Sequence, residues 1–410
     1  MNRLLTLYTV LFVGCSFGQQ LVPTSYDTLE TRNHEINLSG IGDFGSTTIS
    51  NKLANRLVFG GEITDAMINQ SMSKQKTLNR LGYIMQPALE YVNYKVQPFK
   101  TKNWGLYFRA EMLYTGSGRY REGLFGLMFR GNEPYLGSSI DLSNMVVTNI
   151  GMHKIGFGFI DAKSKSSVSL NLYGITNYFG GYLNETTFSQ DETGFNATLQ
   201  IDGQLDATTS GAIYKGFGVG FDANLYFKVG NPEKPAFLQF TIRNLGFGYM
   251  NNTIVRNAID TTILHDGYTI ANITNGETIF GKDKNVAEEL GLRSDTISKT
   301  IALPFTVQLG KIIDEHNTKK IQFFYGTYVN VQHASLPLVY GGIHYRSQKW
   351  FRMGLGISYG GFAGFRTNFY LQGNWNNFNI GIATNDLLGI AGIGRGNSCT
   401  FNLSYRFKNN

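Results

Sequence analysis

Over most of its length the chain alternates residue by residue between apolar and polar or small positions, the period-2 signature of strands with two unlike faces. Phe401, Leu403, Tyr405 and Phe407 share one face near the C-terminus, with Asn402, Ser404 and Arg406 on the other. Phe217, Val219, Phe221, Ala223, Leu225, Phe227 and Val229 alternate with Gly218, Gly220, Asp222, Asn224, Tyr226 and Lys228. The same pattern runs through Trp104–Tyr114, Ile321–Val331, Phe351–Tyr359 and Phe365–Leu371. These runs exceed the length of an ordinary soluble strand and reach the roughly 9–11 residues that a tilted strand needs to cross a bilayer. A strand between lipid and a wet lumen must alternate, and only a helix or a closed barrel leaves no backbone amide unpaired in lipid. A soluble sandwich or β-helix also alternates. Strand length, aromatics crowded on one face and charges on the other favour the barrel.

The pattern predicts an all-β fold: a single transmembrane antiparallel β-barrel of about fourteen strands. Sixteen segments qualify: 33–43, 84–97, 103–115, 121–131, 150–161, 165–176, 193–202, 212–229, 235–249, 300–312, 320–332, 336–347, 349–360, 363–373, 376–384 and 398–407. The short ones, above all 33–43 and 193–202, are the candidates to lie outside the membrane. Trp104, Tyr114, Trp350 and Tyr359 at strand ends fit interfacial girdles. Two stretches break the alternation. Thr64–Asn79 carries Met67, Ile68 and Met72 among polar residues and reads as a short helix outside the bilayer, either a loop helix or a plug. Residues 251–300 read as an extramembrane excursion, with a small hairpin (Thr253–Ile263, Tyr268–Ile273) and a helix near Asn285–Leu290.

Composition agrees with this class. Among 410 residues there are 49 Gly and 8 Pro, 14% aromatics and only 16% charged residues. The mean hydropathy of −0.16 and the lack of an apolar run near 18 residues exclude a helical membrane protein. The one apolar run of note, Leu4–Cys15, follows Arg3 and precedes Ser16-Phe17-Gly18, as in a secretory signal peptide, so residues 1–18 are expected to be removed and 19–410 to form the barrel. A lipoprotein acylated at Cys15 is the competing reading. With the signal gone, Cys399 is the one cysteine left, so no intrachain disulfide is expected. The formal charge of +7 is dispersed, which argues against a nucleic-acid partner.

The six histidines show no metal-ligand spacing, and there is no Gly-x-Ser-x-Gly elbow. Gly389–Gly396 is Gly-rich without the Lys-Ser/Thr of a phosphate loop. No catalytic residue, metal site or cofactor is therefore expected. The candidate site residues are charges on the polar phase of predicted strands: Glu90, Arg109, Glu111, Asp222, Lys228, Arg243, Arg352, Arg366 and Arg406. They read either as a mutually paired filling of a wet lumen or as a set that selects a solute.

Ser16-Phe17-Gly18-Gln19-Gln20 resembles the export signals of Bacteroidota, in which Gln follows the cut. Gly354, Gly356, Ser358-Tyr359-Gly360-Gly361, then Asn374-Trp375, then Gly381–Asp386 and a closing strand to Phe407 resemble outer-membrane barrels of that phylum. These include the PorP/SprF-like proteins of the type IX secretion and gliding apparatus and a family of uncharacterised function. Asn244–Gly248 before an excursion and Gly131-Asn132 fit the latter better. Both are similar to FadL-like barrels, and the resemblance implies about fourteen strands. It carries over no functional residues. Expected partners are outer-membrane lipid, the barrel-assembly machinery during insertion, and either a small solute or an envelope protein. Two functions compete: a FadL-like channel or binding barrel, and a structural or accessory component of a secretion, gliding or envelope assembly.

Overall fold

In the computed structural model the described residues are 34–96, 98, 103–209, 211–230, 236–265, 293–314, 319–331, 334–348 and 350–407. The signal segment 1–18, the arm Tyr268–Ile273 and the helix near Asn285–Leu290 lie outside them.

The strands are β1 (His34–Ser46), β2 (Asn79–Asn93), β3 (Trp104–Tyr120), β4 (Ser139–Asp141), β5 (Met145–Asp161), β6 (Ser167–Leu183), β7 (Thr187–Gln190), β8 (Ala197–Thr208) and β9 (Gly216–Val229). They continue as β10 (Ala236–His265), β11 (Arg293–Ala302), β12 (Phe305–Ile312), β13 (Ile321–Val331), β14 (Leu336–Arg346), β15 (Phe351–Gly361), β16 (Arg366–Trp375), β17 (Phe378–Thr384) and β18 (Gly396–Phe407). The helices are α1 (Asn51–Phe59), α2 (Asp65–Met72), α3 (Glu122–Arg130) and α4 (Leu387–Ile390).

Fourteen antiparallel strands close the barrel. β1 pairs with β2 on one side and β18 on the other, from His34 opposite Phe407 to Gly45 opposite Gly396, so first and last strands seal the cylinder. The segment expected to lie outside the membrane, 33–43, is thus part of the closing seam. Its mixed face arises because β1 packs Ile41 and Asp43 inward while Ile36 and Leu38 face out.

The two ends of the barrel differ. At the lower end, where β1 starts and β18 stops, the connections are short, such as 162–166, 347–350 and 376–377. At the upper end, residues 47–78 carry α1 and α2, 121–144 carry α3 and β4, and 385–395 carry α4. β6, β10 and the stacked strands β8/β9 and β11/β12 also run past the upper rim. There β10 pairs with β8 on one side and β11 on the other, and β8 pairs with β7, making a projecting sheet. Segment 253–263 is therefore the upper half of one 30-residue strand and not a separate hairpin arm.

The polarity of the cylinder is the reverse of a soluble core. Ile155, Phe157, Leu170, Leu172, Phe323, Leu355 and Ile357 face outward and are exposed, whereas Arg109, Glu111, Lys154, Arg352 and Arg366 are buried inside. An exposed band this continuous is stable only against lipid. Trp104, Trp350 and Trp375, the chain's three tryptophans, all sit at lower strand ends, and the Trp350 and Trp375 rings lie 5.9 Å apart. Tyr114 and Tyr359 mark the upper limit of the band. Trp104 to Tyr114 along a strand rising about 3.3 Å per residue and tilted by about 40° spans about 25 Å of height, the thickness of an outer-membrane apolar band. Among the described residues no helix is long and apolar enough to cross a membrane.

Helices cap the upper mouth. Ser50 caps α1 by accepting from the Leu53 amide, and Leu53 is fully buried with Ile49, Ala54, Ile68, Tyr120 and Phe125. The expected helix at 64–79 is α2, ending at Met72. Segment 121–131, expected as a strand, is helical as α3. Phe125 and Phe129 stack one turn apart with centroids 4.6 Å apart, and Gly131 takes φ 72° at the C-terminal cap.

Candidate functional site in the barrel lumen

The lumen has two halves. Apolar side chains fill the upper one: Ile84, Leu113, Met152, Tyr173 and Leu303 form one buried cluster, and Ile150, Ile175, Met250 and Ile254 another. Over them, the Arg366 guanidinium grips the Asp43 carboxylate at 2.6–2.7 Å and stands 3.7 Å from Asp386. Asp386 also accepts from the Gly389 amide, and Asn51 at the start of α1 donates to the Gly389 and Gly396 carbonyls. Cap, wall and loop 385–395 are thereby tied together.

The lower half is a chamber of about 300 Å³. It reaches from Ile41, Leu113, Asn330 and Thr400 down to Glu35, Tyr94 and Arg406 at the lower rim. Its walls carry amide and phenol groups (Asn224, Tyr226, Gln239, Gln308, Tyr107, Tyr328) together with charges. Small inward residues make room for large ones: a Cβ on Gly354 would overlap the Tyr370 ring, whose hydroxyl meets His344 Nδ1 at 2.6 Å.

A five-residue ion network joins β2, β3, β5 and β9 across this wall. Arg109 pairs with Glu90 and with Glu111, at 2.6 Å to the latter. Lys154 Nζ stands 3.1 Å from Glu111, 2.9 Å from Asp222 and 2.8 Å from Asn244 Oδ1. Gln86 donates to Glu111, and Asn171 and the Asn244 amide donate to Asp222. Every carboxylate of the network thus carries hydrogen-bonded partners, the condition for keeping ions in a low-dielectric interior.

A β-bulge shapes the site. β10 and β9 pair as Ile242–Ala223 and Leu245–Phe221, so Arg243 and Asn244 together face Asp222 alone. Asn244 takes φ 62°, and both residues border the chamber.

The nine sequence candidates fall as follows. Glu90, Arg109, Glu111 and Asp222 belong to the network. Arg243 borders the chamber at the bulge opposite Asp222. Arg366 holds Asp43 in the upper half, Arg352 is buried on the inner face of β15, and Arg406 pairs with Glu35 at 3.4 Å near the lower rim. Lys228 has the same phase as Asp222 but is exposed at the bottom of β9, away from the others. Lys154, Asp43 and Glu35 were missed. Lys154 alternates with Ile155, Phe157 and Phe159, which was signal enough. The other two lie on β1, whose shortness in the sequence makes it a candidate to lie outside the membrane.

Among the described residues no group of three His, Cys, Asp or Glu side chains is placed to hold a metal. Outside the membrane band, the projecting sheet holds its own ion cluster. Asp206 receives Arg256 at 2.8 and 3.0 Å and Lys299 at 2.6 Å. Burial works to raise the Asp206 carboxyl, but the hydrogen bonds from Arg256 and Lys299 outweigh it and leave the group below the usual carboxylate range. The hydrogen bond to Asp206 lifts Arg256 above its ordinary value. Lys299 is also raised, its burial being outweighed by Asp206 and Tyr178.

No family model matches the chain. No curated protein matches it either. Solved structures do. The toluene transporter TodX of Pseudomonas putida matches at 9% identity over 93% of this chain and 92% of its own, with TM-score 0.38. A FadL homologue of Pseudomonas aeruginosa matches at 10% identity over 95% and 96%, with TM-score 0.36. The translocator domain of autotransporter NalP from Neisseria meningitidis matches at 8% identity over 92% and 90%, with TM-score 0.29. Such values establish no shared function, and the fold rests on the strand pairing of this chain: a closed, fourteen-stranded antiparallel β-barrel, polar within and apolar without.

Proposed function

We propose that the chain is a bacterial outer-membrane β-barrel without catalytic activity that admits a small solute into the polar chamber of its lumen, as a channel or binding barrel of FadL-like type. The observation that carries the reading is the inverted polarity of a closed cylinder around a polar chamber of about 300 Å³ reaching the lower rim. In outer-membrane barrels short turns face the periplasm and long loops the exterior. The lower rim with both described chain ends is then periplasmic, and the cap and projecting sheet are external. The filled upper lumen makes the path a gated one.

The test is conductance of the refolded protein in a planar bilayer, with heat-modifiable gel mobility as the folding control. Heat-modifiable protein with discrete conductance steps, raised by deleting residues 47–78, supports the reading. Heat-modifiable protein silent with and without the cap removes the conducting form, and a protein soluble without detergent removes the barrel.

The filled upper lumen and the projecting sheet of β8, β10 and β11 also favour a second reading: a structural or accessory component of an envelope assembly such as type IX secretion or gliding. Its test is co-purification after crosslinking from β11, expected to capture one defined envelope protein.

A further inference from the structure

We propose that Arg243, Thr306 and Asn330 form a subsite for the carboxylate end of a small hydroxylated organic acid in the lumen chamber; this rests on the solute-binding reading above. The three residues lie in one row across neighbouring strands. Arg243 of β10 is opposite Thr306 of β12, and Thr306 is opposite Asn330 of β13. Strands lie about 4.8 Å apart, so Arg243 and Asn330 are separated by about 10 Å of backbone, with the chamber bordered by all three.

The open hydrogen-bonding groups of the row are what point to a carboxylate ligand. Arg109, Lys154, Arg366 and Arg406 each have a carboxylate partner. The Arg243 side chain has neither an ion pair nor a hydrogen bond among the described residues. The nearby anions are committed: Glu111 to Arg109, Lys154 and Gln86, and Asp222 to Lys154, Asn171 and the Asn244 amide. Glu111 attracts Arg243 through space but takes no hydrogen bond from it, so the guanidinium donors remain open to a ligand, and a guanidinium is built to take a carboxylate through two parallel hydrogen bonds. Asn330 is the second, independent observation. It is 3% exposed, and neither its Nδ2 nor its Oδ1 has a partner among the described residues. A hydroxyl, which both donates and accepts, satisfies either end of that amide.

The rest of the chamber sets the ligand's character. Tyr226, Gln239 and Gln308 supply further hydrogen-bonding groups, and Tyr107 and Tyr328 supply ring faces. A hydrocarbon there would desolvate Arg243 and give nothing in return. One guanidinium with open donors suits one carboxylate, and about 300 Å³ is the lower end of ligand-site volumes, the scale of a sugar acid.

The experiment is calorimetric titration of the full-length, refolded protein in detergent with gluconate, glucose and octanoate as probes. Gluconate is expected to bind, with glucose and octanoate weaker by about tenfold or more. Arg243→Gln is expected to weaken gluconate by about ten- to a hundredfold and leave glucose unchanged, and Arg243→Lys to lose less. Asn330→Leu is expected to weaken both hydroxylated probes. Lys228→Gln, at the exposed rim, serves as the control, and heat-modifiable mobility verifies each variant's fold. Equal binding of gluconate and glucose, preference for octanoate, no binding of any probe, or gluconate affinity untouched by Arg243→Gln overturns the subsite. Conductance separates the two ideas: a conducting wild type indifferent to gluconate sinks the subsite and leaves the solute-path reading standing.

Discussion

The ion network around Lys154 offers the sharpest test of how this lumen is held together. Lys154→Met keeps an unbranched apolar stem out to Cε, with sulfur in place of Cδ, and removes the ammonium. Lys154 is 1% exposed and lies 2.9 Å from Asp222, 3.1 Å from Glu111 and 2.8 Å from Asn244 Oδ1. Without it, Glu111 keeps Arg109 and Gln86, but Asp222 is left with neutral donors only. Removing one partner from a buried pair costs about 3–5 kcal/mol, or roughly two to four powers of ten in the folded-to-unfolded ratio. The reasoning also fixes a sign. Asp222→Asn in the Lys154→Met background removes the carboxylate left without a cation, so the double variant should be less unstable than the two single costs combined, by about 0.5–3 kcal/mol. The assay is urea unfolding in lipid vesicles, followed by tryptophan fluorescence and heat-modifiable mobility. A Lys154→Met protein within about 1 kcal/mol of wild type, or strictly additive costs in the double variant, refutes the network as a structural element.

Three further outcomes follow from the geometry. Leu355→Arg, on the outward face of β15, should cost about 2–4 kcal/mol if it lies at the bilayer midplane, and the loss should shrink for a substitution near the girdle such as Tyr359→Arg; vesicle refolding yields measure both. Leu53→Ala removes a fully buried side chain from the cap, with a loss of about 2–5 kcal/mol to that helical unit, so limited proteolysis should cut residues 47–78 faster while heat-modifiability persists. The projecting sheet should respond to pH at both ends. The depressed Asp206 contributes stability that is present above its unfolded-state value and lost as pH falls through the folded one. The raised Lys299 contributes stability that is lost as pH climbs through its own folded value. Hydrogen exchange in β8 should therefore quicken at both extremes in wild type, and Asp206→Asn should abolish the acid limb.

Much of this was legible because a barrel wall writes its two faces into the chain with period two. The strands from β13 to β18 can be placed to within three residues of their ends on that basis, and so can the inward phase of Arg109, Glu111 and Asp222, whereas the expected segment 300–312 runs across the break between β11 and β12. Legibility failed where a different physical rule took over. Segment 121–131 holds enough Leu, Met and Phe to pass for a strand, but its contacts run between Phe125 and Phe129, the spacing of a helix. β1 has a mixed face because it meets both a lipid boundary and the Arg366 grip. The bulge at Arg243 and Asn244 was in fact visible as a change of parity: Leu238, Phe240 and Ile242 are apolar at even positions, then Leu245, Phe247 and Tyr249 at odd ones. What no single strand records is which lumen charges meet, because Lys154 and Asp222 are brought together by the curvature of the closed wall.

The seam between β1 and β18 bears on how the protein is made. His34 pairs with Phe407, so the cylinder closes only when nearly the whole chain has been delivered. The entropy of joining such distant strands grows only logarithmically with the intervening length, whereas each backbone group left unpaired in lipid costs several kcal/mol. A nascent chain short of β18 has two open edges and no stable place in the bilayer. Assembly is therefore all-or-none: products truncated before β18 should be degraded rather than recovered from the membrane, and the rate of assembly should be set by the registration of the last strand on the first.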